Sequence, residues 1–209
     1  MKTLKPSAGK PRGRPRSFDR EAVLDRAMRL FWLRGYESTS MAELLKVMQV
    51  TTPSVYSAFG DKEHLFLEAI ARYIDGPAQY QAEALKEKTA RAAVERILSQ
   101  AVESIADTST PPGCMLALSV INCSAASEPV RKIVNEARQE TERALCRRIA
   151  QGIAEGDVPA QTDAGALAGF FATVLYGLSI KAKEGISAHE ARAVVDTAMR
   201  AWPANPRSL

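Results

Sequence analysis

An all-α fold is predicted for this 209-residue chain, and three observations predict it. Apolar residues recur at i, i+3, i+4 and i+7 in successive segments, which gathers them on one face of a 3.6-residue helix. Ser-x-x-Glu capping boxes precede two of those segments, "SMAE" at 40–43 and "SAHE" at 187–190. From residue 78 onward there is no strand-like alternation of apolar and polar side chains.

The elements follow in order. Asp19 can cap a first helix with Glu21 in its positive first turn, and Phe18 can staple onto Val23. Leu24, Ala27, Met28 and Phe31 keep helical spacing, and Gly35 stops the helix. The capping box of Ser40 and Glu43 opens a second helix of about two turns, whose apolar face is Met41, Leu44, Leu45 and Met48. Thr52 can cap a third helix with Pro53 in first position, where a missing N–H costs nothing. Val55, Tyr56 and Phe59 give that helix a narrow apolar side and Gly60 closes it. Asp61 caps a fourth helix through Leu65, Phe66, Ala69, Ile70 and Tyr73, and "DGP" at 75–77 breaks it.

Beyond the break, Val94, Ile97, Leu98, Ala101, Val102 and Ile105 share one helix face, and "DTSTPPG" at 107–113 reads as a loop. "CMLALSVIN" reads as a fully buried helix. A long amphipathic helix then runs to Gly156, Asp163 opens another, and Ser187 with Glu190 opens the last, which ends near Trp202–Pro203.

Composition limits the function. Apolar residues at 46% and charged residues at 25% are ordinary for a globular protein. No apolar run approaches the ~20 residues of a membrane span, and the basic N-terminus lacks a signal-peptide apolar region. A cytoplasmic protein without membrane contact is expected. Cys114, Cys123 and Cys146 form no Cys-x-x-Cys pair, and His64 and His189 are the only histidines. No metal site, cofactor or disulfide framework is therefore expected. Nor is there a phosphate-binding glycine loop, dinucleotide fingerprint, nucleophile elbow or paired-carboxylate motif. "SAGK" at 7–10 has the Ser-x-x-Lys form, but it lies in a tail that could not hold an active site. No catalytic residue is assigned.

The net charge of +4 is asymmetric. Lys2, Lys5, Lys10, Arg12, Arg14 and Arg16 stand in residues 1–16 without an acid, leaving 22 basic against 24 acidic residues in the rest. Such an arm, read as disordered, suits a polyanion. The helices of 40–48 and 52–59, joined by a three-residue turn and set beside the helix of 20–34, have the form of a helix-turn-helix. Thr51, Thr52, Pro53, Ser54 and Ser57 are small, which lets a recognition helix approach the major groove. Their hydroxyls can donate to phosphates or base edges, and threonine and proline carbons can pack on the thymine methyl. Tyr56 has an apolar ring for the core side and a hydroxyl long enough to reach a phosphate. Lys62, in the first turn of its helix, opposes the helix dipole, an oddity that a DNA phosphate nearby would remove.

The stretches "RLFWLRGYESTS" (29–40) and "AELLKVMQVTTPSVYSAFGDKEHLF" (42–66) resemble the DNA-binding domain of the TetR family of bacterial transcriptional regulators. With the basic arm at 1–16, the resemblance implies a DNA-binding domain at 17–77 with the helix-turn-helix proper at 40–59, and an all-helical effector-binding and dimerisation domain at 78–209. It places Thr39 and Ser40 among the DNA-contacting positions with those above, and Tyr56 and Lys62 at phosphate contacts. The sequence departs from the family at Gln49, where glycine is usual in the turn, and at Pro53. A turn position near positive φ costs Gln more than Gly.

"RGRP" at 12–15 resembles the core of an AT-hook, which gives Arg14 and Arg16 a minor-groove or phosphate role. Gly165, Gly169, Thr173 and Gly177 recur every fourth residue, at about 1 kcal/mol per helical glycine, so close helix packing is expected to offset them. By resemblance they belong with Val194 and Ala198 to a homodimer interface of the last two helices. A dimer reading a pseudo-palindromic double-stranded operator supplies selectivity that one short helix lacks. The family's small-molecule effector would sit between the middle helices, with Met115, Leu118, Asn122, Phe170 and Tyr176 as candidate lining. The implied function is a sequence-specific regulator, most simply a repressor released from its operator by an effector. A sequence-tolerant architectural protein using the basic arm is the alternative.

Overall fold

A computed structural model describes residues 18–121 and 123–204; the expectations for Arg14, Arg16 and Asn122 lie outside them. Ten α-helices are present among the described residues: α1 (Arg20–Arg34), α2 (Met41–Met48), α3 (Thr52–Phe59), α4 (Lys62–Asp75), α5 (Gln79–Ala84), α6 (Ala90–Ala106), α7 (Met115–Leu118), α8 (Glu128–Glu155), α9 (Ala164–Lys183) and α10 (Ala188–Met199), with a short 3-10 turn at Ala125–Ser127.

Local capping explains most boundaries. The Asp19 carboxylate accepts from the backbone of Glu21 and Ala22, Asp61 from His64, Asp163 from Ala166 and Thr89 from Ala92. Both capping boxes form, at Ser40/Glu43 and at Ser187/Glu190. Gly156 ends α8 in the left-handed conformation that glycine adopts without a Cβ clash.

Three expectations need correction. The cap of α3 is Thr51, with Thr52 already helical and Pro53 in its first turn; either threonine can precede a helix, and proline is tolerated throughout the first turn. The "CMLALSVIN" stretch is helical only over Met115–Leu118; Cys114–Ala117 and Val120 are buried, but an all-round apolar run carries no periodicity to fix its length. Finally, α9 is a 20-residue helix of mean hydropathy 1.4, long and apolar enough by those measures to cross a bilayer. Here it packs as a bundle helix against α6, α8 and α10, burying Ala168, Phe171, Ala172, Leu175 and Leu178.

Two apolar cores organise the chain. The first gathers α1–α4 around fully buried Phe31, Leu44, Met48, Val55 and Phe66. The Phe31 and Phe66 rings meet edge to face at 5.0 Å, and Trp32 and Tyr73 at 4.8 Å, the geometry the ring quadrupole favours. The second joins α6, α8, α9 and α10 around Leu98, Ile149, Phe171 and Val195. The first core does not stop at residue 77: Met115, Ala117, Val130 and Val134 belong to it.

Polar bonds reinforce that join. Trp32 Nε1 donates to Gly113 O at 2.8 Å, the Tyr36 N–H to Ser119 O at 2.9 Å and Ser127 Oγ to a Glu37 oxygen at 2.6 Å. Gly113 has φ 79° and admits no side chain, since a Cβ would lie 2.5 Å from Ser179 O. The body thus holds α1 through backbone as well as side-chain groups.

Candidate nucleic-acid interface

Helix α3 shows two faces. Val55 and Phe59 are buried beneath it, while Thr52, Pro53, Tyr56 and Ser57 are exposed. The i, i+4 pairs 52/56 and 53/57 lie one above the other, so these four side chains form one outward stripe. Tyr56 is 53% exposed, so its ring stands with the outward stripe and not against the core, contrary to the sequence expectation. Thr51 Oγ1 and Ser54 Oγ lie 2.9 Å apart and bond each other. The Thr51 side chain makes no backbone cap, but Pro53 has no N–H and the Ser54 and Val55 N–H groups donate to Thr51 O at 3.0 and 3.1 Å, so at the start of α3 only the Thr52 N–H is left to meet an anion.

The turn before α3 rests on Gln49, which has φ 57° and ψ 43°. It is the one non-glycine residue with positive φ among the described residues. The backbone keeps the left-handed turn that glycine would favour and Gln bears the steric cost. The Gln49 and Val50 N–H groups donate to Leu45 O, and Gln49 Oε1 lies 3.5 Å from Arg26 Nη1.

One expected contact belongs to the scaffold instead, and a second has its hydroxyl proton already engaged. Thr39 is fully buried, and its hydroxyl donates to Gly35 O at 2.7 Å; its side chain cannot reach a duplex and locks the α1–α2 turn. Ser40 is exposed but spends its hydroxyl proton on a Glu43 oxygen at 2.8 Å while accepting the Glu43 N–H. Arg34 pairs with the other Glu43 oxygen, which neutralises that carboxylate at the start of α2.

Lys62 opens α4, and its ammonium sits 4.3 Å from the centroid of the Tyr36 ring. Partial burial pushes its pKa down, opposed by the Glu37 carboxylate. An aromatic face thus supplies part of the compensation that the sequence assigned wholly to DNA. This pair was not foreseen, because Tyr36 reads from sequence only as the aromatic after Gly35. Arg20 makes the matching arrangement at the start of α1, stacked 4.5 Å over Phe59 and bonded to both Glu68 oxygens at 2.7 and 2.5 Å.

The candidate effector residues do not converge. Met115 is fully buried and Leu118 packs on the first core. The Tyr176 hydroxyl donates to Arg138 O at 3.0 Å. Phe170, 43% exposed, points away from that interior and lines a shallow hollow with Val194, Thr197 and Ala198. A cleft of about 400 Å³ instead opens between α4, α5, α6 and α8, with Ile74, Leu85, Ile97, Leu116 and Leu145 in its walls and Thr141 and Glu140 as polar groups.

The four-residue stripe on α9 also divides. A methyl on Gly169 would touch Glu142 of α8 at 3.4 Å, whereas one on Gly177 would meet nothing within 4 Å. A repeat of four drifts around a 3.6-residue helix, so the stripe spans two neighbourhoods. Exposed Phe170, Thr173 and Val194 mark the outward one.

Comparison with known proteins agrees with this geometry. Residues 23–69 match the model of bacterial regulatory proteins, tetR family, and residues 90–202 match the tetracyclin repressor-like C-terminal domain. The HTH-type transcriptional repressor ComR of Escherichia coli (strain K12) is 35% identical over 199 residues, 93% of each chain. The HTH-type transcriptional repressor BdcR of the same strain is 28% identical over 188 residues, 84% of each. Among solved structures, a cysteine mutant of the TetR family transcriptional regulator CifR, complexed with 26-base-pair double-strand operator DNA, superposes with a TM-score of 0.89. It is 42% identical, covering 91% of this chain and all of that one.

Proposed function

Since the chain belongs to the tetR family of bacterial regulatory proteins, DNA-binding transcriptional regulators and not enzymes, we propose that it works as a homodimeric repressor that an effector releases from its operator. Each protomer would lay the outward stripe of α3 in the major groove, with Thr52, Pro53 and Ser57 against base edges. Tyr56, Lys62 and the Thr52 N–H at the start of α3 would contact phosphates. Thr51 and Ser54 bond each other; the hydroxyl that accepts keeps its own proton to donate, and the remaining lone pairs can accept from a base N–H. The observation that carries this reading is the outward stripe itself: small hydroxyl-bearing side chains and one tyrosine exposed on a helix whose other face is fully packed.

Dimerisation is supported by exposed Phe170 and Val194 beside the small residues Ala193, Thr197 and Ala198, a surface flat enough for a second pair of helices. Release is supported by the 400 Å³ cleft, whose walls come from α4 and α8. Helix α4 carries Lys62 at one end and Ile74 at the other. A ligand preferring one spacing of α4 and α8 would shift the population of DNA-competent dimers.

Selection of duplexes from a randomised library by the full-length protein tests the reading. An enriched motif with two inverted half-sites about one helical turn apart supports it. Salt-sensitive binding with no enriched motif would instead favour a sequence-tolerant architectural protein.

A further inference from the structure

We infer that Tyr36 is a positioning residue for the phosphate contact of Lys62, holding the ammonium on its ring face so that the N–H donors point outward from the start of α4. The inference rests on the DNA-binding role proposed above and adds a residue that the α3 stripe does not include.

The two N-terminal cations make the contrast. Arg20 and Lys62 each occupy the first position of a helix, where the helix dipole disfavours positive charge, and each lies over an aromatic ring. Arg20 is then neutralised by Glu68 and also bonded to Ala58 O at 3.3 Å, which ties the end of α3 to α1 and α4. Lys62 forms no ion pair among the described residues. Glu37 acts on it only through space, and the Glu37 carboxylate is itself held by Ser127 at 2.6 Å. Lys62 is therefore half-buried over an aromatic face, with no anion in contact among the described residues.

The ring is itself packed between other aromatics. Tyr36 stacks with Phe31 at 6.3 Å and meets Phe66 at 4.9 Å, and its N–H is tied to Ser119 O. A lysine stem free in water loses rotamer freedom when it grips a phosphate. Here that ordering is present before DNA arrives, which is the gain from preorganisation.

The test uses full-length protein and the duplex that the wild type enriches from a randomised library. Affinity is measured against salt for wild type, Tyr36→Phe, Tyr36→Leu, Lys62→Gln and the Tyr36→Leu/Lys62→Gln double variant, with thermal melting of each. Tyr36→Phe keeps the ring and should bind within about twofold of wild type. Lys62→Gln should flatten the slope of log K against log salt by about one unit per half-site. Tyr36→Leu should weaken binding about three- to tenfold and move its slope toward that of Lys62→Gln, and the double variant should bind no worse than Lys62→Gln.

In the free protein, the Lys62 side-chain CH2 protons next to Nζ should show an upfield ring-current shift in NMR spectra, retained in Tyr36→Phe. That readout holds even if Tyr36→Leu fails to fold, and its absence in the wild type would overturn the inference. A wild-type slope in Lys62→Gln would overturn the phosphate contact and the inference with it. A flattened slope in Lys62→Gln beside a wild-type slope in Tyr36→Leu, or additive losses in the double variant, would overturn the inference alone.

Discussion

Gln49→Gly should stabilise the protein. Gln49 sits at φ 57° and ψ 43°, the centre of the left-handed region, where an L-residue with a Cβ loses about 1–2 kcal/mol relative to the right-handed helix. Glycine removes that penalty but gains freedom in the unfolded chain, which offsets about 0.4–1 kcal/mol. The side chain lost is exposed, and its one bond, to Arg26 at 3.5 Å, is long enough to count for little. The net expectation is about 0.5–1 kcal/mol of stabilisation, or roughly 1–4 °C in Tm for a chain of this size. Urea unfolding followed by helical circular dichroism should show a higher midpoint at an unchanged m-value. Wild type and variant must be compared at one protein concentration, because a dimer's stability depends on it. A lower or unchanged midpoint would refute the reasoning and mean that Gln49 contributes through Arg26 more than its backbone strain costs.

Other substitutions test other parts of the structure. Thr39→Val keeps the shape but leaves Gly35 O without its buried donor; it should cost about 1–2 kcal/mol in urea titration while leaving DNA affinity of the folded protein unchanged. Gly113→Ala forces a side chain to φ 79° and against Ser179 O, so more than ~3 kcal/mol of stability should be lost by the same assay. Val194→Glu places a charge on the exposed α9–α10 face and should shift sedimentation toward monomer without altering the helical spectrum.

Alkaline pH supplies a further test, because burial, with the Cys114 thiol nearby, pushes the Tyr80 hydroxyl up to about 12. A folded pKa above the unfolded value of about 10 means that the folded state holds the proton longer. Stability should therefore be intact below pH 10 and fall as pH rises from there toward 12. Tyr80→Phe should shallow that fall in urea midpoints measured across pH, and an identical profile would contradict it.

What could be foreseen from sequence was whatever local chemistry decides. Asp19, Asp61, Asp163 and the two Ser-x-x-Glu boxes each satisfy free N–H groups within three residues, so their helices start where expected. The packed side of α3 followed from spacing at Val55 and Phe59. What was missed needs tertiary information. Phe170 and Phe171 are neighbours on one apolar helix, and only the way α9 docks into the bundle of α6, α8 and α10 decides that Phe171 turns inward and Phe170 outward. Thr39 reads as a polar residue in a DNA-contacting motif, and only the path of the chain after Gly35 buries it. The Tyr36–Lys62 pair spans 26 positions of sequence with no periodic signal to join them.

If the outward face of α3 reads bases, single base-pair substitutions in the selected duplex reveal it most directly. Affinities of wild type and Thr52→Ala for each substituted duplex should show discrimination lost at one or two positions per half-site and kept elsewhere. A loss equal at every position, or none, would contradict base reading by this helix.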